Sequence, residues 1–249
     1  MKVLLVGGSG LVGTFTTPYL AKHHELRVLD PIEPEHADMV EYVQGSMADP
    51  DDVARALDGV DTFINMAMRN PQGGISTDQD LETIVNNYEV NTLGLHLLLW
   101  TAQGMGIKQG VHTSTMSVHH RARPYYSSEE AIPRDGPSAY GMSKALGEVI
   151  CEYFARSFDM RLIALRITGP RKRADYLAER REPKHERLFV TDEEDLARAY
   201  LAAIEAVKTG HGRFDPVFIA GDENEKDHNL SKARELLGWM PESQKYLDD

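Results

Sequence analysis

Short apolar runs of strand length alternate along this chain with longer stretches whose apolar residues recur at helical spacing. The strand-like runs are Lys2 to Val6, Leu26 to Asp30, Glu41 to Val43, Asp61 to Asn65, Gln109 to Ser114, Arg161 to Arg166 and Val217 to Ile219. Helical patterns lie between and after them at Leu11 to Lys22, Asp51 to Leu57, Gln79 to Gly104, Ser138 to Ser157, Glu193 to Val207 and Ser231 to Leu237. Such alternation predicts a doubly wound α/β fold, a parallel sheet of about seven strands with helices on both faces. Asp51 and Ser231 are expected to cap their helices, because their side-chain oxygens can accept from unpaired first-turn amides. The stretch from Gly169 to Arg187 breaks the alternation and is charged throughout, which reads as an irregular or partly helical segment. Residues 1–249 are expected to form one domain, with 167–192 and 220–249 building a small C-terminal appendage for substrate.

Composition narrows the partners. At 249 residues and 41% hydrophobic content, the chain can bury a full core as one domain. A formal charge of -12 opposes contact with phosphate backbones and anionic lipid, so neither nucleic acid nor a membrane surface is an expected partner. No apolar run approaches the roughly 20 residues that cross a bilayer. The single cysteine, Cys151, excludes an intrachain disulfide framework, and Met1 and Lys2 lead straight into an apolar strand. Cytoplasmic residence is the expectation. Ten histidines include no H-E-x-x-H pattern, so no metal site is expected, and Cys151 reads as a small core residue.

The first strand runs into Gly7-Gly8-Ser9-Gly10-Leu11-Val12-Gly13, and a helix follows. Glycines at Gly7, Gly10 and Gly13 allow a tight turn, close approach of amides to a pyrophosphate, and close helix-sheet packing. The helix N-terminus adds a site that favours negative charge. Asp30, about 20 residues beyond Gly10 at the end of the second strand, can accept from both hydroxyls of an adenosine ribose and would repel a 2′-phosphate. A Rossmann-like dinucleotide site using NAD rather than NADP follows.

Tyr140 and Lys144 stand one helical turn apart on one face of a helix. Ser114 and Thr115 end the fifth strand, where open α/β sheets place their ligands. A hydroxyl there can hold a substrate oxygen against the tyrosine. The phenol is an adequate base near neutrality only if its anion is stabilised by about 4 kcal/mol, and Lys144 together with a positive nicotinamide ring is expected to supply that field.

With these motifs, the chain resembles the extended short-chain dehydrogenase/reductase superfamily, the NAD-dependent epimerase/dehydratase group, from the glycine motif to Leu237-Gly238-Trp239-Met240-Pro241. The resemblance implies that Tyr140 is the general base, that Lys144 holds the nicotinamide ribose, that Thr115 is the catalytic Ser/Thr, and that Asn91 matches the group's asparagine. It also implies cofactor contacts from Ser9, Leu11 and Val12, from Met66, Ala67 and Met68 after the fourth strand, and from Ile167. Ser46 and Met47 stand where an acidic-aliphatic pair usually meets the adenine. Met116 and Ser117 replace the acidic pair of the dehydratases, which argues against sugar dehydration. His119 and His120 replace the group's Tyr-Gly, and are read as loop packing or as a substrate contact.

Nucleotide-sugar members carry Asn-Val-Tyr-Gly-Pro after the sixth strand and then a long insertion. Here Arg166-Ile167-Thr168-Gly169-Pro170 is followed by about 20 residues before Thr191. The short segment resembles the uronate dehydrogenases, which hold a carboxylate with an arginine. Arg171, Arg173 and Arg187 are the candidates, with a solvated charged loop as the alternative reading. The expected activity is oxidation or reduction of a small sugar or sugar acid. An epimerase that oxidises and re-reduces one carbon, and a dinucleotide-binding sensor without catalysis, are the alternatives. A homo-oligomer is possible.

Overall fold

The computed structural model of the chain describes residues 1–69, 74–183 and 190–247. Strands β1 (Lys2–Val6), β2 (Glu25–Asp30), β3 (Glu41–Gln44), β4 (Thr62–Asn65), β5 (Gln109–Thr115) and β6 (Arg161–Ile167) are joined by helices. These are α1 (Leu11–Leu20), α2 (Pro50–Leu57), α3 (Leu81–Tyr88), α4 (Leu95–Gly104) and α5 (Ala139–Phe158). Beyond β6 come β7 (Pro170–Arg171), α6 (Arg173–Arg181), β8 (Thr191–Asp192), α7 (Glu193–Thr209), β9 (Phe214–Ile219) and α8 (Ser231–Leu237). The main sheet is parallel throughout, in the order β3-β2-β1-β4-β5-β6-β9. Winding runs outward from β1 in one direction and from β4 in the other, so the crevice between β1 and β4 is the switch point where such sheets receive ligands.

Side-chain alternation along β1 shows how the two faces are filled. Val3 and Leu5 join a core with Leu196, Tyr200 and Ile204 of α7. Leu4 and Val6 join the opposite core with Val53 of α2, Leu98 of α4 and Phe154 of α5. Every residue from Val3 to Val6 is therefore buried, as a strand covered on both faces requires. Pro216 sits in β9, an edge strand that can lack one amide donor.

Three sequence expectations are corrected. The cap of α2 is Asp49, whose carboxylate accepts from the amides of Asp51 and Asp52, because Pro50 takes the first helical position. Ser231 lies inside α8 and Asn229 supplies the oxygen, accepting from the Ser231 amide at 3.0 Å. The span expected as one helix from Gln79 to Gly104 is interrupted by a π-helical turn, Glu89–Gly94. That turn contains Asn91, whose carboxamide donates to Asn87 Oδ1 at 3.1 Å and to Ser143 Oγ of α5 at 3.0 Å.

The charged stretch after β6 is partly helical, as α6. The short parallel pair β7 and β8 ties its two ends together. Asp195 of α7 accepts from the amides of Glu242 and Ser243, and its carbonyl receives the Trp239 indole, so residues 239–243 are held on α7. No helix among the described residues is long and apolar enough to cross a membrane.

Candidate active site

The glycine turn fits a dinucleotide for reasons visible in its packing. Gly7 adopts φ +79°, and a β-carbon there would lie 2.5 Å from the Ala67 Cα. Gly13 packs so tightly that its β-carbon would lie 2.1 Å from the Gly8 carbonyl oxygen, which brings α1 down onto the turn. Gly10 begins α1 without any side-chain cap, and no acidic residue occupies the first turn. The first-turn amides are thus left for an external anion.

Asp30 ends β2 nearly buried; its Oδ2 accepts from the Ser9 amide at 3.1 Å and its Oδ1 from the Ile32 amide at 3.0 Å. Burial pushes its carboxyl above the usual value, and these amides pull against that shift. The Ser9 hydroxyl donates to the Ile32 carbonyl at 2.5 Å, closing the turn against the strand end.

A cavity of about 690 Å³ opens from this turn along the carboxyl ends of the strands. Gly7, Ser9, Gly10, Leu11 and Val12 line one end, with Asp30, Ser46 and Met47. Met66, Ala67 and Met68 line its middle, and Ser114, Thr115, Tyr140, Lys144, Ile167 and Arg171 the other end. Gly13 lies beneath the turn rather than in the wall. Asn91 is buried behind the wall, bracing α5 through Ser143. Ser46 offers its hydroxyl to the Ala48 amide as acceptor, and its own amide donates to Asp52.

Tyr140, one residue into α5, is brought beside Thr115 at the end of β5. Burial raises its phenol to about 12, and a side-chain hydrogen bond with Thr115 opposes the shift. Lys144 follows one turn on, buried, its Nζ donating to the carbonyls of Thr113 at 3.0 Å and Ala67 at 3.1 Å. Burial lowers this ammonium to about 7. The two shifts run against a tyrosinate: the phenol is held protonated and the lysine is only partly charged at neutrality. A positive charge bound beside them would lower the phenol, while making the Lys144 ammonium harder still to keep charged.

Three further polar residues sit behind the wall. Ser114 donates to Glu148 at 2.6 Å, and Glu148 forms a paired contact with Arg166, Nε to Oε1 at 2.8 Å and Nη2 to Oε2 at 2.6 Å. Arg166 Nη1 also donates to His119 Nε2 at 3.0 Å and to the Glu129 carbonyl at 2.9 Å. His119 Nδ1 lies 2.8 Å from the Pro133 carbonyl. His119 is therefore loop packing rather than part of the cavity wall. No sequence motif gives Glu148 or Arg166 a role, although an arginine inside the apolar run of β6 and a glutamate one turn beyond Lys144 are visible signals.

The arginine candidates separate. Arg171 lines the cavity and pairs with Glu179 at 2.5 Å. Arg173 does not reach it: both carboxylate oxygens of Asp192 and one of Glu194 hold its guanidinium, which lies over the Tyr246 ring. Arg187 falls outside the described residues. Cys151 is buried core, its thiol pushed upward by burial. No group of three or more histidine, cysteine or acidic residues able to hold a metal occurs among the described residues.

A parallel sheet with a glycine turn at its switch point, an aspartate at the end of β2 and a Tyr/Lys pair on α5 lining the same cavity defines a dinucleotide-dependent α/β protein. Residues 3–218 match the model of the NAD dependent epimerase/dehydratase family, and the chain belongs to that family. A uronate dehydrogenase of Pseudomonas syringae pv. tomato is 26% identical over 219 residues, covering 84% of this chain and 72% of that protein. A 3 beta-hydroxysteroid dehydrogenase/Delta 5-->4-isomerase of Mycobacterium tuberculosis is 32% identical over 137 residues, 53% of this chain. The match spans only 36% of that enzyme's length. The structure of a short-chain dehydrogenase/reductase superfamily protein from Agrobacterium tumefaciens with bound NAD superimposes with a TM-score of 0.81 at 18% identity. That match covers 100% of this chain and 95% of the other, a likeness of fold.

Proposed function

We propose that this protein is an NAD-dependent oxidoreductase that acts on a hydroxyl or carbonyl of a small sugar or sugar acid, closest to a uronate. The observation that carries the reading is that Thr115, Tyr140 and Lys144 share one cavity with the glycine turn and Asp30. When bound, NAD supplies the hydride acceptor. Tyr140 Oη, once ionised, would take the proton of the substrate hydroxyl, and Thr115 holds the same oxygen through its side chain. Lys144 sets the field around the phenol and has one donor left after Thr113 and Ala67. Ser114 spends its proton on Glu148 and so meets the substrate as an acceptor. In this reading the described parts of 167–192 and 220–249 contribute the reduced substrate lobe.

Of the three arginines the sequence offers for a carboxylate, Arg171 is the described one that lines the cavity, beside Arg69 and with its Nε engaged by Glu179, whereas Arg173 lies outside it. The 26% identity to a uronate dehydrogenase supports this substrate class. The test offers glucuronate, galacturonate, neutral sugars and nucleotide sugars with NAD and follows absorbance at 340 nm. NADH formation with a uronate at the highest kcat/KM supports the proposal. Isomerised product without NADH makes the protein an epimerase, and NAD binding without turnover makes it a sensor.

The protein is further inferred to pair with a second copy of itself. Between Ala139 and Cys151 the exposed positions of α5 are Met142, Leu146 and Val149, and Tyr153 extends the stripe at the 3–4 spacing of a helix seam. Leu93 and Trp100 on the adjoining helix, with Leu81 and Val85, are also exposed. Together they offer on the order of 800 Å² of mostly apolar surface per copy, one side of a standard interface. In a chain of net charge -12, the four α5 positions Met142, Leu146, Val149 and Tyr153 carry no charge themselves, which makes this strip the centre on which two copies can meet. Sedimentation should give a dimer, and Leu146→Glu a monomer; a monomeric parent chain would overturn the inference.

A further inference from the structure

The mechanism leaves two buried polar side chains unused. Asn65 ends β4 and His112 lies in β5; they are direct register partners, and both are 1% exposed. Asn65 Oδ1 accepts from the Ala67 amide at 3.1 Å, which orients the carboxamide and leaves its Nδ2 facing His112 Nδ1 at 3.2 Å. The amide can only donate there, so Nδ1 accepts and the ring proton sits on Nε2. His112 is thereby held as a neutral ring of one tautomer.

The bonds continue to the site. The Ala67 carbonyl accepts from Lys144 Nζ at 3.1 Å, and the second Lys144 acceptor is the carbonyl of Thr113, the residue after His112, at 3.0 Å. A closed circuit results: Lys144 to Ala67, Ala67 to Asn65, Asn65 to His112, and through the chain to Thr113 and back to Lys144. Among the described residues, no carboxylate forms an ion pair with Lys144. The ammonium is placed by two carbonyls, and one belongs to the loop that meets the glycine turn, where Gly7 and Ala67 are in closest approach. A shift of Ala67 by a few tenths of an ångström would move the lysine and the crevice together.

We propose that Asn65 and His112 are a positioning pair that fixes the Ala67 backbone, and through it both the Lys144 ammonium and the dinucleotide crevice, without touching either ligand. The inference rests on the Tyr140/Lys144 reading for its effect on turnover, but its effect on NAD binding does not. A pair that merely fills the core would respond to a substitution by its bulk alone, and not to the return of an acceptor.

His112→Phe keeps an aromatic side chain, somewhat larger, and removes the acceptor, whereas the smaller His112→Asn returns an acceptor near the Nδ1 position and so separates the loss of the bond from the change in bulk. NAD affinity by calorimetry is expected to fall about tenfold in His112→Phe and to recover to within about threefold of the parent chain in His112→Asn. On any substrate that is turned over, the alkaline-rising limb of kcat should move up by about half a unit or more in His112→Phe, because an ammonium with one acceptor displaced holds its proton less well and supports the phenolate less. Parent-like NAD affinity in His112→Phe would overturn the proposal, whatever the substrate panel shows. Should that variant fail to fold, Asn65→Ala gives the same reading, with weakened NAD binding expected and unchanged binding contrary to it. If no substrate is turned over, the oxidoreductase reading fails while the calorimetric arm still decides this one.

Discussion

Gly7 and Ala67 face each other across the switch point so closely that a β-carbon on Gly7 would lie 2.5 Å from the Ala67 Cα and 2.6 Å from its nitrogen. The positive φ of Gly7, +79°, adds a conformational cost to the clash. Gly7→Ala should therefore lose about 2 kcal/mol or more of stability, a fall in Tm of roughly 4–8 °C for a chain of this size. NAD affinity should drop with it. Thermal unfolding and calorimetry check both, and a variant with parent-like Tm and affinity would mean that the loop after β4 moves aside freely.

Asp30 is the residue expected to set the preference between NAD and NADP. Its carboxylate is fixed by the Ser9 and Ile32 amides, so a 2′-phosphate cannot push it away without breaking both bonds. NAD should bind at least about tenfold tighter than NADP, about 1.4 kcal/mol, and Asp30→Asn should narrow the gap by relieving the repulsion. Equal affinities in the parent chain would refute the preference.

Tyr140→Phe removes one hydroxyl and leaves the ring. Turnover should fall by about 10² or more while NAD binding stays nearly unchanged. A variant of near-normal kcat would show that another group takes the proton.

The parts of this site that the sequence made legible are those whose partners lie close along the chain. The glycine turn is contiguous, and Tyr140 and Lys144 are one turn apart, so spacing alone places them together. Asp30 is legible because a strand end after a glycine helix has one place to go. Asn65, His112, Glu148 and Arg166 gain their meaning from strand register and from α5 crossing the sheet, and register is fixed by tertiary packing that no local pattern carries. The π-helical turn at Asn91 is of the same kind, since its side chain is engaged by Ser143 of α5. Asp49 is legible in principle, since proline's preference for the first helical position makes the acidic residue before Pro50, rather than Asp51, the helix start.

His119 predicts how the fold responds to acid. Arg166 stays charged and must donate, so His119 Nε2 accepts and Nδ1 donates to the Pro133 carbonyl. Burial lowers the imidazole to about 4, and the nearby Arg166 charge acts in the same direction. Between about pH 6.5 and 4 the unfolded chain therefore takes up a proton that the native chain refuses, and stability falls as pH falls through that window. A neutral amide at this position has no such term. His119→Gln should be less stable than the parent near neutrality, having lost a fitted ring, but its unfolding free energy should decline less from pH 6.5 to 4, by on the order of 2 kcal/mol. Urea titrations at both pH values for both chains measure the difference. Equal declines would mean that His119 does not refuse its proton in the folded state, and that the Arg166 contact survives an imidazolium or is absent in solution.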